Sequence, residues 1–220
     1  MRPRRLTNLG AGAVILGAAA SLLFTLSWMP PRTNPEAPAA VGAVLAGEAL
    51  RALQPGGRLT VITRDTTAFK HPETDLLFRS FSRTIRQGGR TIAAVQALQV
   101  DPLRPVDVPP GDFFEWIRKS PPGSVIVSLM GPPLLMPDQL AQLGNVKTDI
   151  IAFCPGSLAQ RVDLRLLFQA HLLRMAVVSR SAVPPASRPP RGPAAWFDRL
   201  YVKLTAANVG SWYDSSGSGP

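Results

Sequence analysis

The sequence predicts a three-layer α/β domain with a mostly parallel, five-stranded sheet of flavodoxin-like or Rossmann-like order, preceded by one N-terminal transmembrane helix. Three observations predict it. Short β-branched runs alternate five times with segments of helical periodicity. Those runs are continuously apolar, as strands covered on both faces are. Ahead of them, Arg2, Arg4 and Arg5 precede an uncharged, mostly apolar run from Leu9 to Trp28. About twenty residues rising 1.5 Å each in a helix can cross a hydrocarbon core of roughly 30 Å.

The apolar run ends at Met29-Pro30-Pro31. A cleaved leader has an apolar core of about 7–15 residues followed by small residues at the cut. Ala18-Ala19-Ala20-Ser21 supplies small residues, but Leu22-Leu23-Phe24 carries the apolar run beyond them, which favours an uncleaved single-pass anchor. Three arginines before the run, against Arg32 alone close behind it, place the N-terminus in the cytoplasm. In a bacterial inner membrane the rest of the chain is then expected in the periplasm. Residues 1–31 form the basic tail and anchor, and the Pro- and Ala-rich residues 32–40 a stiff spacer.

The α/β domain is expected over residues 41–181. Val41–Leu53 is a helix that Gln54-Pro55-Gly56-Gly57 stops. Leu59–Thr63 is the first strand. Asp75–Gln87 follows, with Leu76, Leu77, Phe78, Phe81 and Ile85 at helical spacing. Thr91–Val100 is the second strand and Gly111–Lys119 a short helix after Pro109-Pro110. Ser124–Met130 is the third strand, and Pro137–Leu143 a helix with Asp138 in its first turn, where a negative charge suits the dipole. Thr148–Phe153 is the fourth strand, Leu164–Leu173 a helix and Met175–Ser179 the last strand. Residues 182–213 are expected as a Pro/Arg-rich wrap followed by one amphipathic helix bearing Trp196, Phe197, Leu200, Tyr201 and Leu204. Residues 214–220, polar and Gly/Ser-rich, have the composition of a disordered tail.

Composition narrows the function. Cys154 is the only cysteine, which excludes an internal disulfide and any multi-cysteine metal or iron–sulfur site. Net charge is +10 and the pI about 11.1. Beside a bilayer, such a surface suits anionic membrane lipid or an acidic protein partner in a larger membrane complex. Nucleic acid is not expected, because the domain is exported and no aromatics interleave with the arginines. No dinucleotide fingerprint, phosphate loop, zinc-protease helix or haem-attachment sequence occurs, so neither cofactor nor metal is expected.

In open α/β sheets ligands bind beyond the carboxyl ends of the strands. That rule points to four segments, Arg64-Asp65-Thr66-Thr67, Gly131-Pro132-Pro133, Cys154-Pro155-Gly156-Ser157 and Ser179-Arg180-Ser181, and in them to Arg64, Asp65, Thr66, Thr67, Gly131, Cys154, Ser157 and Arg180 as candidates for a small polar or anionic ligand. The same residue types also end strands and cap helices for backbone reasons alone. Cys154 would need a base such as His71 to act as a nucleophile, and a cysteine in an apolar strand more often fills core space. No residue is assigned a catalytic role. Trp196, Phe197 and Tyr201 are candidates for docking a partner or for packing on the domain.

From Leu59 to Ser181 the order of elements, with the polar turn Arg64-Asp65-Thr66-Thr67 after the first strand, resembles one lobe of a type I periplasmic sugar-binding protein. The resemblance implies a small-ligand site at the strand ends. Two functional expectations stand side by side: a non-catalytic, membrane-anchored accessory subunit of an envelope complex, and a periplasmic binder of a sugar-like or anionic small molecule, or an enzyme working at the same strand ends.

Overall fold

In the computed structural model the chain divides into residues 1–34 and 35–220. The structure describes residues 17–18, 21, 34–67, 69–100, 108–144, 147–181, 183 and 190–216. Apart from Gly17, Ala18 and Ser21, the expected anchor from Leu9 to Trp28 lies outside the described residues, as do the tail before it and most of the wrap over 182–189. Among the described residues no helix is long and apolar enough to cross a membrane.

Residues 35–220 carry, in order, α1 (Glu36–Ala52), β1 (Leu59–Arg64), α2 (Pro72–Gln87), β2 (Ala94–Leu98), α3 (Pro110–Lys119), β3 (Val125–Ser128), α4 (Pro137–Leu143), β4 (Asp149–Cys154), α5 (Leu158–Arg161), α6 (Leu164–Gln169), β5 (Leu173–Ser179), α7 (Pro193–Leu200), β6 (Tyr201–Leu204) and α8 (Val209–Ser216). The sheet order is β2-β1-β3-β4-β5-β6. The first five strands are parallel, in the expected flavodoxin-like order, and β6 runs antiparallel to β5.

The period of two sorts the strand side chains into two cores. Ile62, Ile126, Ile150, Ala152, Ala176 and Val178 face a cluster completed by Phe113 and Ile117 of α3, Leu164, Leu167 and Phe168 of α6, and Val209 and Tyr213 of α8. Leu59, Val61, Val125, Val127, Ile151, Met175 and Val177 face the other cluster, with Leu45 and Ala49 of α1, Leu77, Phe81 and Ile85 of α2, and Phe197 of α7. Helices therefore cover both faces, which is why the central strands read as unbroken apolar runs. The edge strand β2 is the exception. Its side chains alternate between half-buried and exposed, and Val95 is largely solvent-facing.

Four expectations need correction. The helix expected as far as Leu204 stops at Leu200, and Tyr201–Leu204 instead forms a sixth strand. The outer edge of β5 would otherwise leave backbone groups unpaired, and this segment pairs them from Ser179↔Tyr201 to Ala176↔Leu204. The spacer expected to reach Ala40 is already helical from Glu36, and Ala37, Pro38 and Ala40 are buried. The helix expected to reach Leu173 ends at Gln169. His171 then takes the left-handed conformation, at φ 55°, with its N–H donating to the Phe168 carbonyl and that of Leu172 to the Leu167 carbonyl, which closes the turn. The tail expected to be disordered from Asp214 is helical through Ser216, held by the buried Tyr213.

Candidate functional site

The chain passes from β1 to β2 on one side and from β3 onward on the other, so the sheet has its switch point between β1 and β3. Where the crossovers diverge, the carboxyl ends of the strands leave a crevice. A cleft of about 410 Å³ opens there. Arg64 ends β1 on its wall, Leu129 and Met130 follow β3, Phe153, Pro155 and Gly156 come from the end of β4, Ser179 ends β5 and Tyr201 begins β6. From the side, α2 contributes Glu73, Thr74 and Leu77, the residue before it His71, and α1 Pro38.

Each polar wall is positioned by local chemistry. His71 caps α2, its Nδ1 accepting from the Thr74 backbone N–H at 3.4 Å. The Thr74 hydroxyl also lies 2.9 Å from Nδ1, so both polar groups of Thr74 converge on the ring. The Ser179 hydroxyl oxygen accepts from the Gly156 N–H at 3.0 Å, which ties the turn after β4 to the end of β5 and leaves the hydroxyl hydrogen to donate. Phe153 and Tyr201 meet edge-on with centroids 5.7 Å apart and form an aromatic wall. Burial, reinforced by the Glu73 carboxylate, raises the Tyr201 phenol, so it stays protonated and able to donate. One guanidinium, one carboxylate, two hydroxyl side chains, an imidazole, a phenol and an apolar floor thus share one crevice.

The candidates read from the sequence divide. Arg64 and Tyr201 are brought into the cleft, while Asp65, Thr66 and Thr67 do not line it. Asp65 accepts from the Thr67 N–H at 2.9 Å, a bond that holds its carboxyl below the ordinary range. Thr66 donates to Asp75 at 2.8 Å, fastening the loop to α2. Gly131 is buried with φ 107°, and a Cβ there would come within 2.5 Å of Leu158 Cδ2, so it serves close packing on α5. Ser157 is exposed at the start of α5 and makes no side-chain cap. Arg180 lies in a separate groove between α1 and α7, with its Nε donating to the Asp198 carbonyl at 2.9 Å. Phe197 is buried in the domain's own core, and the Trp196 ring lies 5.9 Å from the Arg199 guanidinium.

Cys154 is 0% exposed, and burial pushes its thiol up to about 12. A thiol so held supplies no thiolate at neutral pH. A thiol reagent at pH 8 is expected to leave Cys154 unmodified in the native protein and to label it fully in denaturant, as read by intact mass. Rapid native labelling would overturn this placement.

His71, Glu73, Thr74, Leu129 and Phe153 were not assigned to a ligand site from the sequence. The available signal was His71-Pro72, a capping residue followed by proline, which opens a helix beside the first strand end.

No protein-family model matches the chain, and no curated protein matches it. Solved structures do match. The sugar-binding protein of a sugar ABC transporter from Bacillus halodurans aligns with a TM-score of 0.50 at 13% identity, over 82% of this chain and 65% of that one. An arabinose-binding protein from Geobacillus stearothermophilus aligns at 0.49 and 16% identity, over 82% and 64%. The Caulobacter myo-inositol binding protein aligns at 0.48 and 14%, over 80% and 60%. The chain therefore spans less than two thirds of the length of these structures, and at such identities the likeness is one of fold. In its fold the domain resembles a lobe of a type I periplasmic sugar-binding protein.

Proposed function

We propose that residues 35–220 bind a small polyhydroxylated molecule, of the monosaccharide or polyol class, without covalent chemistry. The observation that carries this reading is the mixture in the cleft. Arg64 and Glu73 offer opposite charges, so a neutral ligand with both donors and acceptors matches better than an anion or a cation. Thr74, Ser179 and Tyr201 supply hydroxyl partners, and the Phe153–Tyr201 wall suits the apolar face of a ring. A solved protein of like fold is named for sugar binding. The Leu9–Trp28 run is read as the single-pass anchor that holds this domain on the periplasmic side of a bacterial inner membrane as an accessory subunit. Alkaline extraction that leaves the intact chain in the membrane pellet supports the anchor. Release of a chain cut after the small residues near Ala20 would overturn it.

The binding test is a thermal-shift screen of the full chain with pentoses, hexoses and inositols, followed by calorimetry. A true ligand at a hundredfold excess over its Kd stabilises the native state by about 2.7 kcal/mol. Arg64→Ala is expected to weaken binding at least about tenfold, because a hydrogen bond to a charged group is worth roughly 1.5–3 kcal/mol. A folded chain that responds to no neutral polyol, or an Arg64→Ala variant that binds unchanged, would sink the proposal.

A further inference from the structure

On the solvent side of α2, away from the cleft, Arg79, Arg83 and Arg86 occupy positions i, i+4 and i+7, and Arg90 follows just past the helix end. They lie on one side of the helix, opposite Leu77, Phe81 and Ile85, which are buried against the sheet. All four arginines are exposed. None of them pairs with a carboxylate among the described residues, although Arg51, Arg118, Arg165 and Arg174 do. Arg86 Nε only reaches back to the Ser82 carbonyl at 3.3 Å. The acids of α2, Glu73 and Asp75, stand in its first turn, at the other end of the helix.

Helix electrostatics accounts for part of this. Cations in the last turn suit the dipole, which covers Arg86 and Arg90. Arg79 and Arg83 stand further back, and like charges at i and i+4 oppose the helix. A row of unneutralised guanidiniums on an outward helix face calls for an anionic surface. The patch also offers nothing else. The exposed large apolar side chains among the described residues are Phe69, Val95, Met136, Leu166 and Val183, none of them on α2. A protein partner would want a buried apolar anchor, and single-stranded nucleic acid an aromatic to stack on. Anionic headgroups need only positive charge on a face they can reach. The face is held on the fold by α1, whose Ala39 carbonyl accepts a bond from the Ser80 hydroxyl of α2 at 2.7 Å.

We propose that the arginine face of α2 is a docking surface for acidic phospholipid headgroups. It is separate from the cleft and does not depend on what the cleft binds. The test is the full chain labelled with a fluorophore at Gln87→Cys, an exposed position on α2, with Cys154 buried and unreactive. Energy transfer to headgroup-labelled lipid is read on vesicles of phosphatidylcholine alone and of phosphatidylcholine mixed with phosphatidylglycerol. Arg2, Arg4 and Arg5 beside the N-terminal run also attract anionic lipid, but they are unchanged in every α2 variant, so a difference between the variants reports the α2 face alone. The expected result is a roughly tenfold or greater preference for the anionic vesicles, lost in 1 M salt, where the screening length falls to about 3 Å. The combined Arg79→Gln, Arg83→Gln, Arg86→Gln and Arg90→Gln variant should lose the preference, and the matching four-lysine variant should keep it. Equal transfer on both vesicles, insensitivity to salt, or a four-glutamine variant that still prefers anionic lipid would overturn the proposal. So would competition in which duplex DNA or polyglutamate displaces the vesicles at equal charge. If the glutamine variant fails to fold by circular dichroism, the lysine variant and the salt series still decide.

Discussion

Gly42→Ala should destabilise the domain, while Gly47→Ala, further along the same helix, should stabilise it. Both glycines lie inside α1, where alanine is favoured over glycine by about 1 kcal/mol. Their surroundings differ. A Cβ on Gly47 meets only the tip of the Arg51 side chain, at 4.0 Å. A Cβ on Gly42 would lie 2.3 Å from the Leu77 carbonyl oxygen and 2.9 Å from the Phe81 nitrogen. Those are backbone atoms of α2 and cannot turn aside as a side chain can. Relief requires α1 and α2 to separate along a contact that buries Leu45, Leu77 and Phe81. Overpacking of this kind costs roughly 1–3 kcal/mol and sometimes more. With contact this close the upper end applies, so the net effect is a loss of about 2 kcal/mol after the propensity gain. Urea unfolding checks both signs in one experiment. A Gly42→Ala variant as stable as the parent would mean that the two helices do not meet this closely.

Tyr213→Ala is expected to have the largest effect on stability of any substitution considered, on the order of 3–5 kcal/mol, as for other buried aromatics. Tyr213 is only 3% exposed, on the last helix of the fold. Its hydroxyl donates to the Val162 carbonyl at 2.9 Å and accepts the Leu164 N–H at 3.1 Å. Trp212 meets the ring edge-on at 4.9 Å, and the Arg165 guanidinium lies 4.5 Å above it. One side chain thus fills the outer core and satisfies the backbone at the start of α6. Tyr213→Phe separates the two roles. It keeps the packing but leaves Leu164 N–H and Val162 C=O without this partner, at a cost of about 1–3 kcal/mol. Denaturant midpoints measure the ladder from parent to Phe to Ala, and hydrogen exchange at Leu164 reports the local bond. A Tyr213→Ala variant within about 1 kcal/mol of the parent would show that α8 merely rests on the domain.

The two substitutions mark the border between local and long-range information. What the sequence determined by itself was periodicity and punctuation. Ile62, Ile126 and Ile150 sit in unbroken apolar runs because helices cover both faces of the sheet, and that burial pattern is written locally. The helices between them, ended by Gly and Pro, led to the parallel order of the first five strands and to the resemblance in fold. Arg64, to which the strand-end rule points, lines the cleft, because that rule depends only on where β1 stops.

Only the tertiary structure decided the rest. Tyr201–Leu204 has a spacing that fits a helix face, and the free edge of β5 made it a strand. Asp65 and Thr66 are polar and next to Arg64, yet they turn away because Thr67 and Asp75 bind them. Phe153 and Tyr201 lie far apart in sequence and form one wall because β4 and β6 flank β5. Glu73 and Thr74 reach the cleft because α2 packs against α1 at Gly42. Each of these outcomes depends on which backbone groups and surfaces were left unpaired after distant segments met, and a local pattern of residues does not carry that information.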